Sequence, residues 1–167
     1  MVTYAPAKPE QQGDMLQLLQ EYADAHLERT RLRLQMTQAQ FIQLLAAVGR
    51  PHAIYQDGEL AGFYSVEERE SELCLHLLML KKALRCQGIG RQTLAELEAR
   101  YRDAPDGLRT TDVIETKLPE SDVRARTAYE RLGYETVQVL HDVGILVMRR
   151  HLSNASSAGP WRSHHPA

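Results

Sequence analysis

A chain of 167 residues, 43% of them apolar and 25% charged, makes one domain long enough to enclose a core. A formal net charge of −2 offers no basic face to a nucleic acid and leaves room for a cationic substrate. The first residues show no basic-then-apolar leader and no run approaches membrane-spanning length, so a cytoplasmic protein without a membrane partner is expected. Cys74 and Cys86 form no metal spacing and His164-His165 have no partner at ligand distance, so reduced thiols and no metal are expected.

In chain order, Val2–Ala5 reads as a short opening strand. Pro9 suits the first turn of a helix, in which Met15, Leu18, Leu19, Tyr22 and His26 keep a helical period to about Leu27. The segment Glu28–Met36, with Arg29, Arg31 and Arg33, reads as a connection. Thr37 and Gln40 then form a capping box, with Met36 and Phe41 placed as a hydrophobic staple. Phe41, Leu44, Leu45 and Val48 give that helix its buried stripe, and Gly49 and Pro51 stop it. The period next changes to strands over His52–Gln56 and Glu59–Glu67, joined by the hairpin signal Asp57-Gly58. A charged turn, Glu68–Ser71, leads into Glu72–Leu80, whose Leu, Met and Cys side chains occupy both faces and predict a central strand.

After this strand come Gly88 and Gly90, and then a helix with Ile89, Leu94, Leu97 and Tyr101 on one side. Ala104–Gly107 breaks it, and Leu108–Thr116 reads as a strand. Pro119 and Ser121 open a last helix with Ala125, Ala128, Tyr129 and Leu132 inward, closed by Gly133. Tyr134–Leu140 and Ile145–Leu152 form a closing antiparallel pair, and Ser153–Ala167 reads as a disordered tail after a domain spanning 1–152.

A strand, a glycine-rich bend and a helix start present free N–H groups and the positive end of a dipole, a site for phosphate or pyrophosphate. The chain lacks G-x-x-x-x-G-K-[ST], and Thr93 stands where a dinucleotide fingerprint needs glycine or alanine. What remains, Arg85-x-x-Gly88-x-Gly90, resembles the (Gln/Arg)-x-x-Gly-x-(Gly/Ala) signature of the GCN5-related N-acetyltransferases (GNAT), which bind acetyl-CoA. The run Ala125–Tyr134 resembles the same family's A-x-x-x-Y-x-x-x-G-(F/Y) motif, and the order β-α-α-β-β-β-α-β-α-β-β matches its mixed-sheet α/β fold.

The resemblance implies a direct transfer of acetyl from acetyl-CoA to an amine of a small molecule or peptide, without a covalent enzyme intermediate. It places the pyrophosphate on Arg85, Cys86, Gln87, Gly88, Ile89, Gly90 and Arg91, and the pantetheine arm along Leu78, Met79 and Leu80. A backbone N–H near Met79 or Leu80 would polarise the acyl carbonyl, in a gap between this strand and the next. Tyr129 matches the tyrosine that returns a proton to the thiolate; the competing reading is an aromatic that only packs. His76 is the first candidate base, in a run Leu75–Leu78 that resembles the arylalkylamine branch, although Cys74 replaces that branch's second histidine. By strict alternation His76 shares a face with Glu72, Cys74, Leu78 and Leu80, so Glu72 could act through water. Asp122 stands where many members have an asparagine touching the cofactor, and it would also suit a helix start. Glu67, Glu68 and Glu70 could attract an amine, and Arg29, Arg31 and Arg33 a carboxylate, against the plainer reading of solvated charge. Homodimers are common in the family, and no interface is legible here. The alternative function is a module that senses acyl-CoA without turnover.

Overall fold

The computed structural model describes residues 1–102 and 112–152; the breaker at Ala104–Gly107, the start of the strand at Leu108 and the tail Ser153–Ala167 lie outside them. The elements run β1 (Val2–Pro6), α1 (Gln12–His26), α2 (Glu28–Arg33), α3 (Gln38–Ala47), β2 (Arg50–Gln56), β3 (Glu59–Arg69) and β4 (Glu72–Leu80). They continue with α4 (Ile89–Arg102), β5 (Val113–Pro119), α5 (Val123–Arg131), β6 (Glu135–Leu140) and β7 (Ile145–His151). Among these residues seven strands form one sheet in the order β1-β2-β3-β4-β5-β7-β6. All neighbours are antiparallel except β4 and β5, which run parallel.

Each face of the sheet buries its own apolar cluster. On one side α4 and α5 cover Leu73, Leu75, Ile114 and Met148 with Ile89, Leu94, Leu97 and Tyr129. On the other, Met15, Leu18, Leu19 and Ala23 of α1 and Phe41 and Ile42 of α3 cover Ala53, Phe63 and Met79. The expected element order therefore stands, with one addition. Glu28–Arg33 is a short helix rather than a plain connection. No residue of α2 is buried, so apolar spacing carries no trace of it. Polar bonds hold it instead: Arg31 pairs with Glu28 at 2.7 Å and reaches the Met36 carbonyl, Thr30 Oγ1 donates to the Val143 carbonyl, and Arg29 donates to the His141 carbonyl.

Local signals are honoured elsewhere. Thr37 and Gln40 form the reciprocal capping box of α3. Asp57 and Gly58 both take positive φ, 52° and 86°, as a two-residue hairpin turn demands. The buried side of α3 is Phe41 and Ile42, whereas Leu44 is 41% exposed.

The central strand departs from regularity at one residue. Ser65 of β3 faces Leu77 and Val66 faces Leu75, so His76 is an extra residue, a β-bulge. Alternation changes phase there. Leu73 and Leu75 pack toward α4 and α5, as do Leu78 and Leu80, while Leu77 and Met79 pack toward α1 and α3. The expectation that Cys74, His76, Leu78 and Leu80 share a face is therefore corrected, because the bulge inserts one residue into the two-residue repeat. A bulge also bends its strand, and pairing of β4 with β5 ends at Leu75–Thr116, directly before His76. Beyond that point β4 stays bonded to β3 as far as Leu80–Gly62, and β5 to β7 as far as Pro119–Ile145. The two parallel strands part and leave a gap in the middle of the sheet.

Candidate active site

The bend after β4 is shaped for an anion. Past a single 3-10 turn at Lys82–Leu84, Cys86 and Gly88 take φ of 63° and 83°, and α4 starts at Ile89. The first backbone bond of the helix runs from Gln92 N–H to the Gly88 carbonyl at 3.0 Å, so the amides of Ile89, Gly90 and Arg91 have no acceptor within the helix. A Cβ on Gly90 would meet only Leu78 and Leu80 side-chain carbons at 3.9 Å, an ordinary contact. Packing therefore does not require glycine there, and its bare backbone leaves room for a ligand to approach closely. Arg85, Arg91, Arg124 and Arg131 line the same end of the cleft. Arg124 lies across the bend, with Nη2 2.8 Å from Cys86 Sγ. A diphosphate fits this donor set.

The cleft passes from this basic end through the gap between β4 and β5 to the α1–α3 side, enclosing ≈ 1390 Å³. That exceeds the roughly 300–1,000 Å³ of a pocket for one drug-sized molecule. Leu78, Met79 and Leu80 form one wall of it. Lys81 N–H donates to the Ala61 carbonyl of β3 at 2.9 Å, so Leu80 and Leu78, by alternation, direct their own amides toward the gap. The Leu80 carbonyl there already accepts from Arg85 Nε at 2.9 Å, which tethers the bend to the strand. Among the proposed carbonyl-polarising donors, alternation thus favours Leu80, with Leu78 beside it, over Met79.

Tyr129 stands against the gap from α5, buried, its ring edge-on to Tyr134 with centroids 5.0 Å apart. Burial pushes its hydroxyl up to about 12, opposed by a hydrogen bond with Thr116. Thr116 in turn donates to the Leu75 carbonyl at 3.1 Å, the last paired position before the strands part. His76 lines the cleft from the bulge, its Nε2 2.8 Å from Glu67 Oε2. Bonds from Arg69 and then His76 hold the Glu67 carboxyl below the usual range. Gly49, at φ 71°, lets the chain pass this histidine closely: a Cβ there would meet Ser65 Oγ at 2.7 Å and His76 Cδ2 at 3.1 Å.

Glu72 lies at the start of β4, 3.2 Å from Arg149 Nη2, which also binds Glu115 at 2.7 Å. It is not among the residues lining the cleft. Asp122 is the N-cap of α5, accepting the Ala125 N–H at 3.0 Å, and its carboxylate also faces the cleft. Its second oxygen is 3.9 Å from His26 Nε2, and the Tyr22 hydroxyl lies near enough to feel its charge. Burial first, then the Asp122 charge, raises the Tyr22 phenol. His26 Nδ1 is buried with no partner among the described residues.

Sequence reasoning placed Tyr22 and His26 on a helix stripe and gave them no chemical role; both line the cleft beside Asp122. It also passed over Arg124, Arg131 and Thr116. The position of Arg124 before the Ala125 motif is a weak signal that could have pointed to it. Arg29 and Arg31 are engaged in holding α2, and neither they nor Arg33 line the cleft.

Three solved structures show the same architecture. Ard1 from Thermoplasma volcanium superposes with a TM-score of 0.67 at 13% identity, covering 92% of this chain and 99% of its own. The PaiA N-acetyltransferase from Thermoplasma acidophilum, solved in complex with coenzyme A, gives 0.64 at 14% identity, with 90% and 99% covered. The ribosomal-protein-S18-alanine N-acetyltransferase from Escherichia coli gives 0.61 at 16%, with 95% and 99% covered. A sequence comparison with curated proteins returned no match. The family model described as an acetyltransferase (GNAT) domain matches residues 17–146, from within α1 to the start of β7 and across both walls of the cleft. The chain therefore belongs to the GNAT acetyltransferase family.

Proposed function

We propose that this chain is an acetyl-CoA-dependent N-acetyltransferase that moves an acetyl group directly to a primary amine of a small molecule or peptide. One observation carries the reading: the parting of β4 from β5 lies between the anion-binding bend and the buried hydroxyl of Tyr129. The diphosphate binds the free amides of α4 and the surrounding arginines, and the arm follows the open edge of β4. The Leu80 amide, supported by Leu78, meets the negative charge that develops on the acyl oxygen.

His76 removes the proton from the incoming ammonium. With Glu67 ionised, Nε2 carries the hydrogen of their 2.8 Å bond and Nδ1 keeps the lone pair a base needs. Glu72, tied to Arg149, contributes field rather than proton transfer. Tyr129 gives its proton to the departing thiolate. Asp122 sets the start of α5 beside the reacting groups.

The test has two parts on the purified chain. Calorimetry should register coenzyme A binding, and incubation with acetyl-CoA and a panel of primary amines should release free thiol. Binding without release from any amine would leave a sensor; absence of both would remove the reading altogether.

A further inference from the structure

Four lysines occur in the chain: Lys8, Lys81, Lys82 and Lys117. Of these, Lys117 alone lines the cleft, while Lys81 and Lys82 border a separate pocket beside α1. The sheet sets its place. Leu75 and Thr116 are the last pair between β4 and β5, so the next residues on the two parting strands are His76 and Lys117. On β5, Leu118 packs in the cluster on the α4–α5 side, and Thr116 faces Met148 of that same cluster. Lys117 lies between them and so, by alternation, is on the α1–α3 side. His76 is on that side too, because it bonds Glu67, and the preceding Val66 packs toward α4 and α5.

The Lys117 amine is uncommitted. Its side chain is exposed and forms no hydrogen bond or ion pair among the described residues. The nearby carboxylates are taken. Glu115, two residues back on the same face, binds Arg149 at 2.7 Å, and Glu67 binds Arg69 at 2.9 Å as well as His76. Asp122 caps α5. A flexible four-carbon stem thus carries a primary amine on the flank of the gap, one residue after the threonine beside Tyr129. An amine held next to a thioester reacts as though it were at very high concentration.

We infer that Lys117 is itself an acceptor, acetylated on Nζ by acetyl-CoA bound in the same chain when no free amine fills the cleft. This rests on the N-acetyltransfer reading above and adds a modification site to it. The ammonium first gives one proton to His76 and so gains a lone pair. Nζ then bonds to the acyl carbon, the carbon–sulfur bond breaks, and the departing thiolate takes the proton of Tyr129. Nitrogen sheds a second proton, which restores the phenol, and the proton on His76 passes to water. The products are coenzyme A and a neutral amide at position 117, with the charge of Lys117 removed.

The experiment incubates the full chain with acetyl-CoA and no amine, and reads acetylation at each lysine by peptide mass mapping. Lys117 should be labelled about 100-fold faster than Lys8, at a rate independent of chain concentration. Excess coenzyme A should suppress the label. Lys117→Arg, at an exposed position, should bind coenzyme A in the calorimeter and keep its starting intact mass. Equal labelling of Lys8, Lys81 and Lys82 overturns the inference, as does a rate that climbs with chain concentration or a label that persists under excess coenzyme A. Thiol release from the amine panel with Lys117 unlabelled also overturns it, and leaves the N-acetyltransfer reading standing. Labelled Lys117 without release from any amine supports the inference and removes transfer to free amines. Absence of coenzyme A binding removes both.

Discussion

In the proposed reaction the phenol of Tyr129 is the proton donor, and burial makes losing its proton difficult. Raised to about 12 by burial, it stays protonated throughout the neutral range, and only a strongly basic thiolate nearby would take the proton. Tyr129→Phe keeps the ring and its edge contact with Tyr134, so folding should survive. Its kcat should fall about 100-fold, within the usual range for general acid catalysis, with calorimetric affinity for coenzyme A near that of the parent. Unchanged turnover would assign the residue to packing alone. Gly88 makes a separate demand. At φ 83° a side chain costs about 1–2 kcal/mol of backbone strain, although nothing lies within 4 Å of its missing Cβ. Gly88→Ala should therefore weaken coenzyme A binding in the same calorimetric titration and lower the melting temperature by roughly 2–8 °C.

At the level of elements, the β3–β4 pair is the stiff half of the site and the open edge of β4 the adaptable half. Gly62 lies so close to β4 that a Cβ would sit 2.0 Å from the Met79 carbonyl oxygen, a backbone atom that cannot swing aside. Gly62→Ala should cost roughly 1–3 kcal/mol and lower the thermal midpoint by about 5 °C or more, read by calorimetric melting. The amides of Leu78 and Leu80 face the gap, so their hydrogen exchange should be fast in the free chain and slow on adding coenzyme A. Exchange unaffected by the coenzyme would argue against the added-strand mode of binding. Much of this layer was legible in the sequence. The glycine bend, the capping box at Thr37, the hairpin at Asp57-Gly58 and the limits of β4 are written in local residue chemistry. Two features were not. α2 has no apolar period because hydrogen bonds and ion pairs hold it, and the bulge at His76 needs the partner strand to be seen. The cluster of Tyr22, His26 and Asp122 was hidden for a related reason: its members come from opposite ends of the chain.

At the scale of the whole molecule, buried phenols set an alkaline limit. Tyr22, Tyr101, Tyr129 and Tyr134 are all raised above the ordinary tyrosine value, in each case first by burial. A raised value in the folded state means that the folded chain holds protons the unfolded chain has released. Their stabilisation is complete below about pH 10 and disappears as pH climbs through the folded values. The thermal midpoint should therefore fall steeply from pH 10 upward. Tyr129 alone accounts for on the order of 2 kcal/mol between pH 10 and about 12, so Tyr129→Phe should give a shallower decline. An equally steep decline in that variant would show that its hydroxyl ionises freely. The extra residue at position 76 has a different kind of reach. Because Leu75 and Leu77 already face consecutive residues of β3, excising His76 would leave Leu77 through Leu80 on their present sides, and a chain that still folded would lose with the imidazole the kink itself, presenting a seamless strand with no doorway between its two halves.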